Sequence, residues 1–224
     1  IYIKTPIPWF SFEPGGQLVY IRPISPSFAW CIAKVNYFLC IASKKKIQAL
    51  NLMTSLYLIS PPMISPSFSS DLEKALATGK VSVFQLRLKG VEDAVIIQAA
   101  AELLPICQRY GVPFIINDRP DLALQVKADG VHLGEEDGGP EKGKVTRVRA
   151  LLGDGAAIGV SCYDSADRAI IAAEEGADYV SFGAFFPTKT KQVKRHPPLS
   201  LLQWWSEWTV IPCVAIGGIT AENA

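Results

Sequence analysis

Five short runs of this 224-residue chain carry residue types that hold anions and hard metal ions. In Gln85-x-Arg87-x-Lys89 an amide and two cations recur at every second position. On an extended strand that period places all three side chains on one face, where they suit a polyanion. The competing reading is a solvated strand edge with casual charges. Asn117-Asp118 and Glu135-Glu136-Asp137 put carboxylates near one another in the pattern. Carboxylates at neighbouring strand ends, with diphosphate oxygens completing the shell, would hold Mg²⁺, whereas loop carboxylates also cap helices or stay solvated. Thr188-Lys189-Thr190-Lys191 and Gly217-Gly218, which precedes Thr220, supply hydroxyls, a lysine and the backbone amides of a glycine-rich helix start, the parts of a phosphate site. Alone, each piece is weak, because glycine pairs are common in turns.

Such groups act together only if the fold brings them to one place. Apolar, β-branched runs at Leu56–Ser60, Val81–Leu88, Pro113–Asp118, Gly130–Leu133, Ala157–Cys162, Tyr179–Gly183 and Cys213–Gly218 read as strands. Between them Ser70–Thr78, Glu92–Tyr110, Pro120–Lys127, Lys142–Leu152, Asp164–Glu175 and Leu199–Trp208 read as helices, the first opening on a capping box, Ser70-x-x-Glu73. Apolar strands separated by helices predict a parallel sheet covered on both faces. An open doubly wound sheet would carry a glycine-rich loop after its first strand, and Ser60-Pro61-Pro62 is not one. The expected fold is therefore α/β, a (β/α)8 TIM barrel truncated at its C-terminus before the eighth βα unit. From Met53 the chain has 172 residues, under the roughly 200 of the smallest such barrels. In a barrel the strand ends converge on one mouth, which is where the runs above fall.

Composition bounds the rest. Half the residues are hydrophobic and the formal charge is +1, which excludes a disordered chain and a polybasic nucleic-acid binder. The longest apolar stretch, Phe28–Ala42, is broken by Lys34 and is shorter than the roughly 20 residues that span a bilayer. Five cysteines without CxxC spacing favour a reducing, cytoplasmic setting over a disulfide framework or a zinc site. Residues 1–52 differ from the remainder, with six basic side chains, one acid, and Pro6, Pro8, Pro14, Pro23 and Pro26 among aromatics. They lack a signal-peptide pattern and any sustained periodicity. The expectation is a non-domain leader over 1–52, translated ahead of a start at Met53 and unable to fill a gap in the barrel, followed by an incomplete barrel domain over 53–224.

In order and spacing, Gln85-x-Arg87-x-Lys89, Asn117-Asp118, Ala128-Asp129-Gly130-Val131-His132-Leu133-Gly134-x-Glu136-Asp137, Gly159-Val160-Ser161, Thr188-x-Thr190-Lys191 and Ala215-Ile216-Gly217-Gly218-Ile219 resemble the thiamine-phosphate synthase family, over Leu56 to Ala224. The resemblance implies a Mg²⁺-dependent transferase of thiamine biosynthesis. Such an enzyme joins 4-amino-2-methyl-5-pyrimidinylmethyl diphosphate to a thiazole phosphate and releases thiamine phosphate and diphosphate. It implies that Asp118 and Asp137 hold Mg²⁺, that Arg87, Lys89, Asn117 and Lys191 grip the diphosphate, and that Gln85 and Ser161 seat the pyrimidine half. Thr188, Thr190 and a glycine of the Gly217-Gly218 pair take the thiazole phosphate. Partners are these small molecules, with no nucleic acid and no membrane, and homo-oligomerisation is left open. A sister branch, the thiazole tautomerases, uses a histidine where Tyr163 stands here, and a phenol is a poor general acid or base near neutrality. A non-catalytic phosphate-ligand binder, the relic of a shortened gene, is the alternative from another class. His132 reads as a packed, hydrogen-bonded residue, and Trp204, Trp205 and Trp208 as a face packed on the barrel or on a partner.

Overall fold

The computed structural model describes residues 31–36, 54–134, 143–188, 196–220 and 223, the first of these segments by its backbone alone. In chain order the elements are β1 (Cys31–Asn36), β2 (Thr54–Ile59), α1 (Phe68–Leu76), β3 (Val81–Leu86), α2 (Asp93–Arg109), β4 (Phe114–Asn117), α3 (Pro120–Val126), β5 (Gly130–Leu133), α4 (Lys144–Leu152), β6 (Ala157–Tyr163), α5 (Ala166–Glu174), β7 (Tyr179–Gly183), α6 (Ser200–Trp208) and β8 (Cys213–Ile216). From β2 to β8 each strand pairs in parallel with the next, as the alternation of apolar runs and helices requires.

The ring closes in an unexpected way. β1 lies between β2 and β8, antiparallel to both, with Lys34 opposite Leu56 on one side and Ala215 on the other. The expectation that nothing in 1–52 could fill the gap is therefore corrected for this strand. Its physical basis was the lost ladder donors of the prolines, but all five precede residue 31, and Cys-Ile-Ala-Lys-Val-Asn is proline-free with two β-branched residues.

Strand alternation sorts side chains into two cores. One face of the strands meets the helices and buries Phe84, Phe114, Phe182, Leu86 and Ile116 with Phe68, Leu72, Leu103 and Trp205. The other fills the barrel with Tyr57, Ile59, Val83, Ile115, Ala157, Tyr179 and Val214. The helix boundaries depart from expectation at α1. It begins at Phe68 with Ser67 as cap, so Ser70 lies inside it and Glu73 turns outward to Arg109, 2.8 Å away; the capping box does not form. Phe68 is fully buried, and anchoring it in the core sets the earlier start. At α5 the Ser165 hydroxyl does accept from the Arg168 N–H, at 3.2 Å. On α6 Trp205 is buried edge-on to Phe182, Trp204 packs partly against the core, and Trp208 is exposed. Among the described residues no helix is long and apolar enough to cross a membrane.

Candidate active site

The C-terminal ends of β3 to β8 set the polar groups. Gln85 continues the inward row of Val83, is buried, and donates from Nε2 to Asn117 Oδ1 at 2.7 Å. Asn117 Nδ2 donates to Asp118 Oδ2 at 2.6 Å, and Lys89 Nζ lies 3.3 Å from the same oxygen. Asp118 Oδ1 accepts the Gly134 N–H. One unbroken row, Gln85–Asn117–Asp118–Lys89, thus joins two of the sequence runs through their side chains. Asp118 stands in left-handed backbone, φ 61°, with its N–H held by the His132 carbonyl at 2.8 Å. That turn, with the contacts to Asn117, Gly134 and Lys89, fixes the carboxylate at the end of β4. Arg87, half-buried, has its backbone N–H fixed by Ser60 Oγ at 2.8 Å. β3 ends at Leu86, yet Leu88 remains buried with Leu86 in the outer core, so the alternation that groups Gln85, Arg87 and Lys89 persists into the loop.

On the opposite side the β7–α6 connection folds onto the end of β8. The N–H groups of Phe185 and Phe186 donate to the carbonyls of Ile216 and Gly217 at 3.1 and 3.0 Å. Position 218 needs glycine, because its φ is 66° and a Cβ would sit 2.4 Å from the Pro187 carbonyl oxygen. Half-buried Thr188 follows directly, so the first residue of the hydroxyl run lies one position beyond the contact with the Gly217-Gly218 turn. Asp137, Thr190 and Lys191 lie outside the described residues.

Ser161 ends the inward row of β6 beside His132, whose Nε2 is 2.9 Å from Ser161 Oγ. Burial holds the imidazole well below its usual range, at about 4, with the Asp118 charge opposing and the Arg87 charge adding to the fall. Tyr163 takes left-handed backbone, φ 55°, with the Arg168 guanidinium 5.7 Å from its ring centre. Cys162 points away into the outer core, and burial pushes its thiol up to about 12, so the thiol beside Ser161 is no nucleophile.

Two groups that sequence reasoning missed belong to this face. Tyr57 and Tyr179 meet His132 inside the barrel, and strand parity with Gln85 and Ser161 would have placed them there. Arg119 grips Asp93 and Asp121 with both arms of its guanidinium, tying the start of α2 to the end of β4. Its position directly after Asp118 was the only signal.

A family profile described as thiamine monophosphate synthase matches residues 56–224. A thiamine-phosphate synthase of Rhodospirillum centenum is 49% identical over 170 residues, which is 75% of this chain and 80% of that protein. One from Erythrobacter litoralis is 48% identical over 174 residues, 76% and 79% of the two chains. Among solved structures, thiamine phosphate pyrophosphorylase from Pyrococcus furiosus superposes with a TM-score of 0.62 at 32% identity, over 75% of this chain and 76% of that one.

Proposed function

The chain belongs to the thiamine monophosphate synthase family, and from that premise we propose how its residues divide the work of the reaction. The activity is a transferase step. A pyrimidinylmethyl diphosphate loses diphosphate, the thiazole nitrogen takes the methylene carbon, and thiamine phosphate is formed. No protein nucleophile is needed, and the described cysteines, buried and unpaired, supply none. The work left to the protein is to stabilise the departing anion and to hold two rings in line.

The row Gln85–Asn117–Asp118–Lys89 is the observation that carries this reading. It links an amide able to seat a heterocycle, Gln85, to a cation four positions on, Lys89, able to take diphosphate oxygens. Arg87, Lys89 and Lys191 act on the leaving group with Asn117. Gln85 and Ser161 seat the pyrimidine, while Thr188, Thr190 and the Gly217-Gly218 turn take the thiazole phosphate. Asp118 fits a Mg²⁺ ligand: it offers hard carboxylate oxygens, and its direction is set by the backbone turn and the Gly134 N–H. Asp137 is its partner in this assignment. Mg²⁺, when bound, neutralises diphosphate charge. Lys89 Nζ lies 3.3 Å from Asp118 Oδ2, which supports assigning both residues to the leaving-group side of the site. Tyr163 in the position of the tautomerase histidine favours condensation over isomerisation. Free thiols at Cys107, Cys162 and Cys213 suit a reducing, cytoplasmic compartment.

Lys89→Ala and Lys191→Ala are expected to slow turnover by about 10²-fold or more with the fold intact, as for a preorganised electrostatic contact. Asp118→Asn and Asp137→Asn should each weaken Mg²⁺-dependent diphosphate binding. Steady-state rates across a Mg²⁺ titration check both, and unchanged metal dependence in the two aspartate variants refutes the metal assignment.

A further inference from the structure

Ser60 is a buried polar residue to which the division of work above gives no part. It stands just past the end of β2, one position before Pro61-Pro62. Its N–H donates to the Gln85 carbonyl oxygen at 2.9 Å, continuing the ladder in which Ile59 stands opposite Gln85. In a parallel ladder the carbonyl of the same residue would then accept the N–H two positions further along the partner strand. Here the acceptor of the Arg87 N–H is the Ser60 hydroxyl oxygen, at 2.8 Å. The side chain supplies the acceptor that the ladder calls for, and the β2–β3 pairing runs one rung past the last residue of each strand.

That rung matters because of what Arg87 lacks. Among the described residues its guanidinium has no hydrogen-bonding or ionic partner, so nothing along the side chain fixes its direction. The backbone sets where the stem starts, and it is held on both sides, the N–H by Ser60 and the next residue by burial of Leu88 in the outer core. Strand alternation, kept by these two anchors, turns Arg87 to the same side as Gln85. Its charge is felt inside the barrel, where it adds to the lowered ionisation of His132. Without the rung, the segment beyond Leu86 would be anchored by Leu88 alone. A misplacement of about 1 Å between a charge and the group it serves is costly to rate.

We propose that Ser60 is a positioning residue for the reaction: its hydroxyl carries the β2–β3 ladder one rung past the strand ends and so holds Arg87, whose side chain has no anchor of its own, in place at the mouth. Ser60 touches no reacting atom and acts through the Arg87 backbone. That Arg87 takes diphosphate oxygens rests on the reading given under the proposed function; that Ser60 fixes Arg87 does not.

Amide hydrogen exchange of the full chain, labelled with ¹⁵N, tests the first part. Ser60→Ala should speed exchange at the Arg87 N–H by about tenfold or more. The Phe84 N–H, bonded to the Pro113 carbonyl at 3.0 Å on the other side of β3, should stay as it was. Ser60→Thr, which keeps the hydroxyl, should restore protection at Arg87. Unchanged exchange at Arg87 in Ser60→Ala, or equal acceleration at both amides, overturns the inference. Steady-state rates with both substrates and Mg²⁺ test the second part. In Ser60→Ala kcat/KM should fall about tenfold and in Ser60→Thr it should recover. Made in an Arg87→Ala background, Ser60→Ala should cost less than about twofold, because the group it positions is gone. Equal losses in the two backgrounds, or a loss that Ser60→Thr does not recover, overturn the positioning role. Unimpaired kcat/KM in Arg87→Ala itself removes Arg87 from the leaving group. That result is a failure of the proposed function which the exchange data do not share, and it overturns the catalytic half of the inference alone.

Discussion

His132 shows how burial converts a titratable side chain into a fixed donor and acceptor. Its ionisation in the fold lies at about 4, chiefly through desolvation, against about 6.5 in an unfolded chain. Between those values the unfolded state binds a proton that the folded state refuses. The stability it leaves intact above pH 6.5 therefore falls as pH falls towards 4. Asp93 and Asp121, held down first by their hydrogen bonds to Arg119, weaken the fold in the same acid direction, so the comparison must be internal. The thermal midpoint of the unmodified chain should drop more steeply from pH 6.5 to 4 than that of His132→Gln. Parallel curves refute the burial argument. The thiols follow the same physics, since burial pushes Cys107 and Cys162 up to about 12 and Cys213 to about 11. All three should remain unalkylated by iodoacetamide at pH 8 while the protein is folded, and become labelled in denaturant, as read by peptide mass spectrometry.

At the scale of elements the site depends on how two loops are held. Arg119 caps α3 and donates to Asp121 in its first turn and to Asp93 at the start of α2, with contacts of 2.6–2.9 Å. The loop carrying Arg87 and Lys89 is thereby clamped to the strand end carrying Asn117 and Asp118. These groups are largely exposed, so the clamp adds little to global stability. Its value is geometric, because a displacement of about 1 Å between charges and leaving group is costly to rate. Arg119→Lys keeps the charge but loses the two-armed grip. It should raise KM for the diphosphate substrate roughly tenfold while moving the thermal midpoint by less than about 2 °C. A large fall in thermal midpoint with kcat/KM unchanged would show that the clamp serves folding alone.

For the molecule as a whole, closure is the decisive feature. β1 supplies backbone partners to β2 and β8, the two strands that would otherwise end the sheet as open edges beside the inner core. Val35 sits mid-strand, opposite Ser55 and Val214. Val35→Pro removes a ladder donor from a strand with neighbours on both sides, and should lower the thermal midpoint by about 5 °C or more while raising hydrogen exchange in β2 and β8. Unaltered exchange in both strands would mean that β1 does not bear on closure.

Much of this was legible along the chain. Apolar period and helix spacing locate every strand from β2 to β8, because a strand buried on both faces has few polar options and each crossover helix must shield one face. Parity within strands likewise groups Gln85 with the loop cations and puts Asn117 and Ser161 at strand ends. Three features were decided only when the chain closed on itself. The antiparallel docking of Cys31–Asn36 depends on two edges that are distant in sequence, and no local pattern records them. The start of α1 was set by the burial of Phe68, which overrode the local capping preference at Ser70. The hydrogen-bonded row from Tyr57 through Tyr179 and His132 to Ser161 joins four strands whose residues are up to 122 positions apart, so it exists only in the packed interior.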